Sequence, residues 1–185
     1  MHPRFSIILL FLVLLACSCR EEILPKPRAM LRLDYPEMPM ASWEAGCPFT
    51  FDYNQMARVT TKEDCNLDLD YPMMKGSIFL TYKPVENNLK ELLTDAQKLS
   101  YEHVVKADNI VEQPFVNSAD SVYGMFYEVR GNAASQAQFY VTDSTRHFMT
   151  GSLYFYAKPN YDSIYPAAIY LQNDIRKIME SLKWQ

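Results

Sequence analysis

The stretch from Ser121 to Lys158, SVYGMFYEVRGNAASQAQFYVTDSTRHFMTGSLYFYAK, does most to limit what this chain can become. It holds three apolar runs separated by two short polar breaks. Val122, Tyr123, Met125, Phe126, Tyr127 and Val129 make the first run, and Gly131-Asn132 supplies the first turn. Gln136 to Thr142 is the second run, Asp143 to Arg146 the second turn, and His147 to Ala157 the third run. Aromatic and β-branched residues at this density favour a pleated, packed surface. Alternation is weak, because both faces are apolar: Tyr123, Met125, Tyr127 and Val129 on one, Val122 and Phe126 on the other. A strand apolar on both faces is covered on both. The meander is therefore predicted at the centre of a sheet, and the rest of the chain has to supply its covers.

Two segments have the pattern for that task. Asn87 or Asn88 can cap a helix carrying Leu89, Leu92, Leu93, Ala96, Leu99 and His103 at helical spacing, with Val104 beside them. Near the end of the chain, Ala168, Leu171, Ile175, Ile178 and Leu182 repeat the spacing, with Asp162 or Ser163 as cap and Pro166 in the first turn. Two amphipathic helices on a central antiparallel sheet make an α+β sandwich.

Shorter strands are expected upstream. Phe49 to Tyr53 alternates, and Arg58 to Thr61 is placed to pair back on it across Asn54-Gln55. Asn66 to Tyr71 is apolar on its odd positions, with Asp68 and Asp70 facing the other way. Paired carboxylates suit acid–base work or Ca²⁺, but no loop glycine or third ligand accompanies these two, and a solvated strand face explains them. Lys75 to Tyr82 is a stronger strand stopped by Pro84, and Asp108 to Val116 is a further one broken at Pro114. Ala29 to Tyr35 is a short strand candidate, and Glu37 to Gly46 reads as loop.

The N-terminus is addressing rather than fold. Arg4 precedes Phe5 to Ala16, in which only Ser6 is polar. That is too short to span a bilayer stably and suits a signal peptide. It runs into Leu14-Leu15-Ala16-Cys17, which looks like a bacterial lipobox, with Cys19 as the rival acylation site. Residues 1–19 are thus a lipoprotein signal and acylation site, 20–28 a tether, and 29–185 one domain. The tether carries Pro25 and Pro27, and in extended form it reaches up to roughly 28 Å.

Of four cysteines, Cys47 and Cys65 remain after processing. Export implies an oxidising compartment, where such a pair is expected as a disulfide. A metal site of both cysteines with His103 and His147 is the alternative, but the ligands lack close spacing. The net charge of −4 and the lack of any basic cluster longer than two residues argue against a nucleic-acid partner.

Phosphate-binding, dinucleotide-binding, zinc-protease and nucleophile-elbow motifs are all missing, and no cofactor is implied. Ser135 with His147 lacks a residue to orient the base. What stands out is hydrogen-bonding side chains beside the aromatic strands: Asn132, Ser135, Gln136 and Gln138, then Lys158, Asn160, Tyr161 and Asp162. Such a mix suits a protein-binding surface at the ends of the meander. Turn and cap chemistry is the plainer account of the same residues.

Longer motifs carry a resemblance. Leu24-Pro25-Lys26-Pro27, Leu31-Arg32-Leu33-Asp34-Tyr35-Pro36, Cys47-Pro48-Phe49 and Leu80-Thr81-Tyr82-Lys83-Pro84 are similar to the GldD gliding-motility lipoproteins of the Bacteroidetes. So are Asp95 to Leu99, Gln113-Pro114-Phe115, Val122-Tyr123-Gly124, Gly131 to Gln136, Phe139 to Ser144, Gly151 to Tyr156 and Lys158 to Ser163. The resemblance implies a membrane-anchored envelope lipoprotein that supports gliding motility and the associated type IX secretion apparatus, with other envelope proteins as partners. It brings no active site. It favours Cys19 as the acylated residue, because the charged Arg20-Glu21-Glu22 follows it, whereas the lipobox favours Cys17. The order of elements also resembles the Mog1/PsbP-like sandwiches, an analogy of fold alone.

Two function classes follow. One is a non-enzymatic accessory subunit. The other is an envelope enzyme, a hydrolase of unknown class, using His103 or His147 with a carboxylate. A pocket holding either histidine within reach of an Asp or Glu would favour the enzyme.

Acyl chains contribute about 0.8 kcal/mol per buried CH₂, so a multiply acylated cysteine anchors stably. Replacing both Cys17 and Cys19 by Ser is expected to abolish palmitate labelling and release the protein from membranes. Label that persists in the double variant contradicts the lipoprotein reading.

Overall fold

The computed structural model describes residues 33, 35–102, 106–156 and 160–185. The signal peptide, the tether, nearly all of the strand expected at 29–35, and His103, Val104 and Lys158 lie outside the described residues. Ten strands and two helices follow in the order β1 (Met40–Trp43), β2 (Phe49–Asn54), β3 (Arg58–Thr61), β4 (Leu67–Tyr71), β5 (Gly76–Pro84), α1 (Leu89–Tyr101), β6 (Ala107–Asn117), β7 (Val122–Gly131), β8 (Ser135–Thr142), β9 (His147–Phe155), α2 (Tyr161–Ser181) and β10 (Lys183–Trp184).

Seven strands form one antiparallel sheet in the order β3-β4-β5-β9-β8-β7-β6. The expected meander is β7, β8 and β9, and β8 and β9 lie inside the sheet. Every residue of β8 is buried except Tyr140, which is partly so. The register shows how both faces are used. Phe126 pairs with Phe139 and Phe139 with Gly151 on one face, while Tyr127 pairs with Gln138 and Tyr140 with Thr150 on the other.

α2 covers the first face. Leu171, Ile175, Ile178 and Met179 join Ile78, Leu80, Phe126, Phe139, Met149 and Leu153 in one cluster. Its apolar spacing works as the sequence suggests, with Leu182 buried just past its end. The helix starts earlier than expected, so Pro166 falls inside it rather than in its first turn. α1 covers part of the second face, placing Leu92 and Ala96 on Phe148. The buried residues of α1 are Leu92, Ala96 and Ser100, four apart, so Leu99 is turned outward and is 40% exposed. Gly151 is the close-approach point of the sheet: a Cβ there would lie 2.0 Å from the edge of the Phe139 ring.

A second, three-stranded antiparallel sheet, β1-β2-β10, shares the α2 side of the molecule. It departs from expectation in two ways. Met40–Trp43, within the expected loop 37–46, is a strand, because pairing with β2 stacks Trp43 on Phe49 and Phe51 at 5.4 Å each. Such aromatic pairs contribute about 0.5–1.5 kcal/mol beyond burial. β3 pairs with β4, not with β2, because β2 already has β1 and β10 as neighbours. The turn after Asn54, held by Asn54 Oδ1 accepting from the Met56 N–H at 2.9 Å, carries the chain from one sheet to the other. Nor does Pro114 break β6, which runs through it. β6 is an edge strand, where a residue without an N–H loses no ladder bond if its nitrogen faces outward.

Cys47 and Cys65 form a disulfide with their Cα atoms 5.8 Å apart. It joins the loop before β2 to the turn before β4 and so ties the small sheet to the large one. Closing an 18-residue separation is worth about 3 kcal/mol in the chain-entropy model. Removing both cysteines by Cys47→Ser and Cys65→Ser is expected to lower the unfolding free energy by about that amount. Denaturant titration with and without reductant checks it: the variant should match the reduced parent and be insensitive to reductant.

Candidate functional site

Of the residues named as a binding surface, those that are described gather at one end of the large sheet. The β7–β8 turn and the start of α2 meet at one end of the large sheet, where Asn132 Oδ1 accepts from the Tyr161 N–H at 2.8 Å. Neither Asp162 nor Ser163 caps α2: Asn160 holds the cap position without a side-chain bond, and Asn132 reaches across to serve the first helical N–H.

Their roles differ from expectation. Ser135 and Gln136 are fully buried. The Gln136 amide donates to the Ala133 and Gly131 carbonyls at 2.9 and 3.2 Å, bracing the turn from inside. Gly131 makes that turn possible with φ of 105°, a region other residues avoid. The Gln172 amide of α2 donates to the Gln136 carbonyl at 3.0 Å. Ser135 Oγ donates to the Ala137 carbonyl at 3.0 Å. Gln138 is also inside, its Oε1 accepting from Ser100 Oγ at 2.8 Å. These three side chains are therefore unavailable to a partner of the folded domain. The polar run looked like a surface because turns are usually exposed, but Ser135 and Gln136 already belong to β8, beneath α2, while Asn132 of the turn stays exposed.

What the convergence does expose is Arg130, Asn132, Asn160 and Asp162, with Tyr161 and Tyr165 partly exposed. The two tyrosine rings meet edge to face at 5.4 Å. Burial raises the Tyr161 phenol, chiefly by desolvation, with Tyr165 adding to it and Arg130 opposing. Arg130 Nε donates to Glu128 Oε1 at 2.8 Å, which raises its own already high pKa. Arg130 and Tyr165 escape sequence reasoning, since each needs the sheet end assembled before it becomes part of one patch.

The histidine that can be placed is at the other end. β8 runs from Ser135, paired with Tyr154, to Thr142, paired with Phe148, so Ser135 and His147 lie about seven strand steps apart, roughly 23 Å. They form no nucleophile–base pair. His147 is buried, stacks on Trp184 at 5.1 Å, and its Nδ1 is 2.9 Å from the Tyr82 hydroxyl. Desolvation holds its pKa below the ordinary histidine value. Its neighbour Asp143 serves the turn. Burial pushes that carboxyl up, but bonds donated by the Arg146, His147 and Thr145 N–H groups and the Thr145 hydroxyl outweigh it and hold it at about 2. Asp68 forms an ion pair with Lys62 at 2.5 Å, and Asp70 accepts from Ser77 Oγ. Among the described residues no group of three or more His, Cys, Asp or Glu side chains is arranged to hold a metal. Among those residues, too, no helix is long and apolar enough to cross a membrane.

Gln136→Ala strips bonds from two turn carbonyls at a fully buried position, and each buried unsatisfied group costs about 1–3 kcal/mol. A loss in that range is expected on denaturant titration. Asp162→Ala, on the exposed side of the same junction, is expected to stay within about 0.5 kcal/mol of the parent.

Comparison with curated proteins found no match. The family described as gliding motility lipoprotein GldD matches residues 20–184, and the chain belongs to this family, as a motility-associated, lipid-anchored protein of the cell envelope.

Proposed function

We propose that this lipoprotein is a non-enzymatic accessory component of the gliding motility and type IX secretion machinery, held by a palmitate-bearing N-terminal cysteine and docked to other envelope proteins. The docking surface is the sheet end formed by Arg130, Asn132, Asn160, Asp162 and the Tyr161–Tyr165 pair. One observation carries this reading: the Asn132–Tyr161 bond joins two loops distant in sequence into a single patch. The patch combines an arginine and paired tyrosines, residue types enriched in protein interfaces, with an exposed aspartate and two asparagines beside them. Support against the enzyme alternative comes from His147, whose ring meets a phenol and an indole rather than a carboxylate.

The test keeps the scaffold and alters only exposed groups. A variant carrying Arg130→Glu, Asp162→Lys and Tyr165→Ala is expected to fold and fractionate with membranes yet to impair gliding and the secretion of type IX cargo. His147→Gln, if folded, is expected to glide and secrete normally. Normal motility and secretion in the triple variant, with a folded but inactive His147→Gln protein, would favour the enzyme reading.

A further inference from the structure

The face of the large sheet that α1 covers extends beyond the helix. At its uncovered end, register places Arg58 beside Asp70, Asp70 beside Ser77, and Ser77 beside Tyr154. A cleft there is lined by Arg58, Asp70, Pro72, Lys75 and Tyr156 over the backbone of Gly76. Asp70 and Ser77 alternate with the core residues Leu69, Tyr71 and Ile78 and so face away from α2.

Tyr156 is the unusual residue. Its side chain is 65% exposed, yet it is held at both ends. Its N–H donates to the Lys75 carbonyl at 2.7 Å, and its hydroxyl lies 2.8 Å from the fully buried Ser77 Oγ. An exposed phenol can satisfy its hydroxyl with water. Holding it to a buried serine instead costs side-chain freedom and fixes the ring in one orientation. A ring presented to solvent in a fixed pose is preorganised for a ligand to lie against.

Proton accounting sets the polarity of the cleft. Ser77 gives its single hydroxyl hydrogen to Asp70 Oδ1. Tyr156 must then be the donor to Ser77 Oγ. Two acceptors are left toward the cleft: the tyrosine oxygen lone pair, and Asp70 Oδ2, which has no hydrogen-bond partner among the described residues. Donors come from the rim, from exposed Arg58 and Lys75. Lys75 is held there by a left-handed backbone, with φ of 51°.

From this arrangement we infer that the cleft binds a saccharide. A sugar ring has an apolar C–H face for the tyrosine and adjacent hydroxyls that both donate and accept, matching carboxylate and phenol oxygens inside with cationic donors outside. A simple anion would meet Asp70, and a simple cation would meet Arg58 and Lys75. A lipid-anchored envelope protein works among glycans, so the envelope's own sugars are the ligand class. The cleft shares no residue with the docking patch.

The experiment uses the full-length lipidated protein in detergent, titrated with chitotetraose, with soluble muropeptides and with the polysaccharide released from envelope lipopolysaccharide. Saturable binding to at least one is expected by calorimetry. Tyr156→Ala and Asp70→Asn should each weaken it about tenfold, the loss of one stacking or hydrogen-bonding contact. Arg58→Ala, a rim change with little bearing on folding, should weaken it as well, and Glu91→Gln on α1 should leave it unchanged. No saturable binding to any of the three, or binding that survives all three cleft substitutions, overturns the proposal. Neither result bears on the motility assay of the triple patch variant.

Discussion

Burial of both faces of β8 is the constraint on which the rest of the structure depends. A strand in that position cannot be finished by one layer, because Phe139 and Val141 point one way while Gln138 and Tyr140 point the other. One side is closed by α2 together with the small sheet, the other by α1. The covers are unequal. The α2 side is a broad apolar cluster, while the α1 side is a small one beside a row of charged and hydroxyl side chains. Both the proposed docking patch and the Asp70–Ser77–Tyr156 cleft sit where the covers end.

Closing the α2 side brings polar groups inside, and these are organised. Asn54 Nδ2 donates to Tyr170 Oη and to Asp174 Oδ2, both at 2.8 Å, and Tyr170 donates to the Pro36 carbonyl at 2.9 Å. Asp174 is almost completely buried. Desolvation raises its carboxyl above the ordinary range, while Asn54, Lys177 and Tyr71 pull it back. Tyr71, beside it and also buried, is raised by desolvation and by the charge of Asp174. A buried network of this kind is unforgiving of partial satisfaction, and so it specifies one arrangement of β2, β4 and α2. The network also holds Tyr35, which packs edge to face on Tyr170 at 5.4 Å.

The polar clusters flanking the meander show how one composition serves two ends. Gln136 and Ser135 are internal braces, and Asn132 is a cap supplied from outside its helix. Their bracing is what holds Arg130, Tyr161 and Tyr165 together as a patch.

The sequence by itself determined the elements whose evidence is local. Apolar density placed β7, β8 and β9, helical spacing placed α1 and α2, and the oxidising compartment paired Cys47 with Cys65. Motif likeness placed the chain in its family, to which it belongs. What the sequence could not decide were relations between distant segments. Met40–Trp43 becomes a strand only because Phe49 and Phe51 are there to stack on, and β3 takes β4 as partner only because β2 is occupied on both sides. The burial of Ser135 and Gln136 could not be read either, since polar residues at a strand end are exposed or buried according to what packs over them, here α2. Nor could the Asp70–Ser77–Tyr156 cleft, whose members stand up to 86 positions apart. Periodicity reports which face of an element is buried, but the partner that buries it is fixed by long-range packing, and so is the exposed chemistry left where those partners stop.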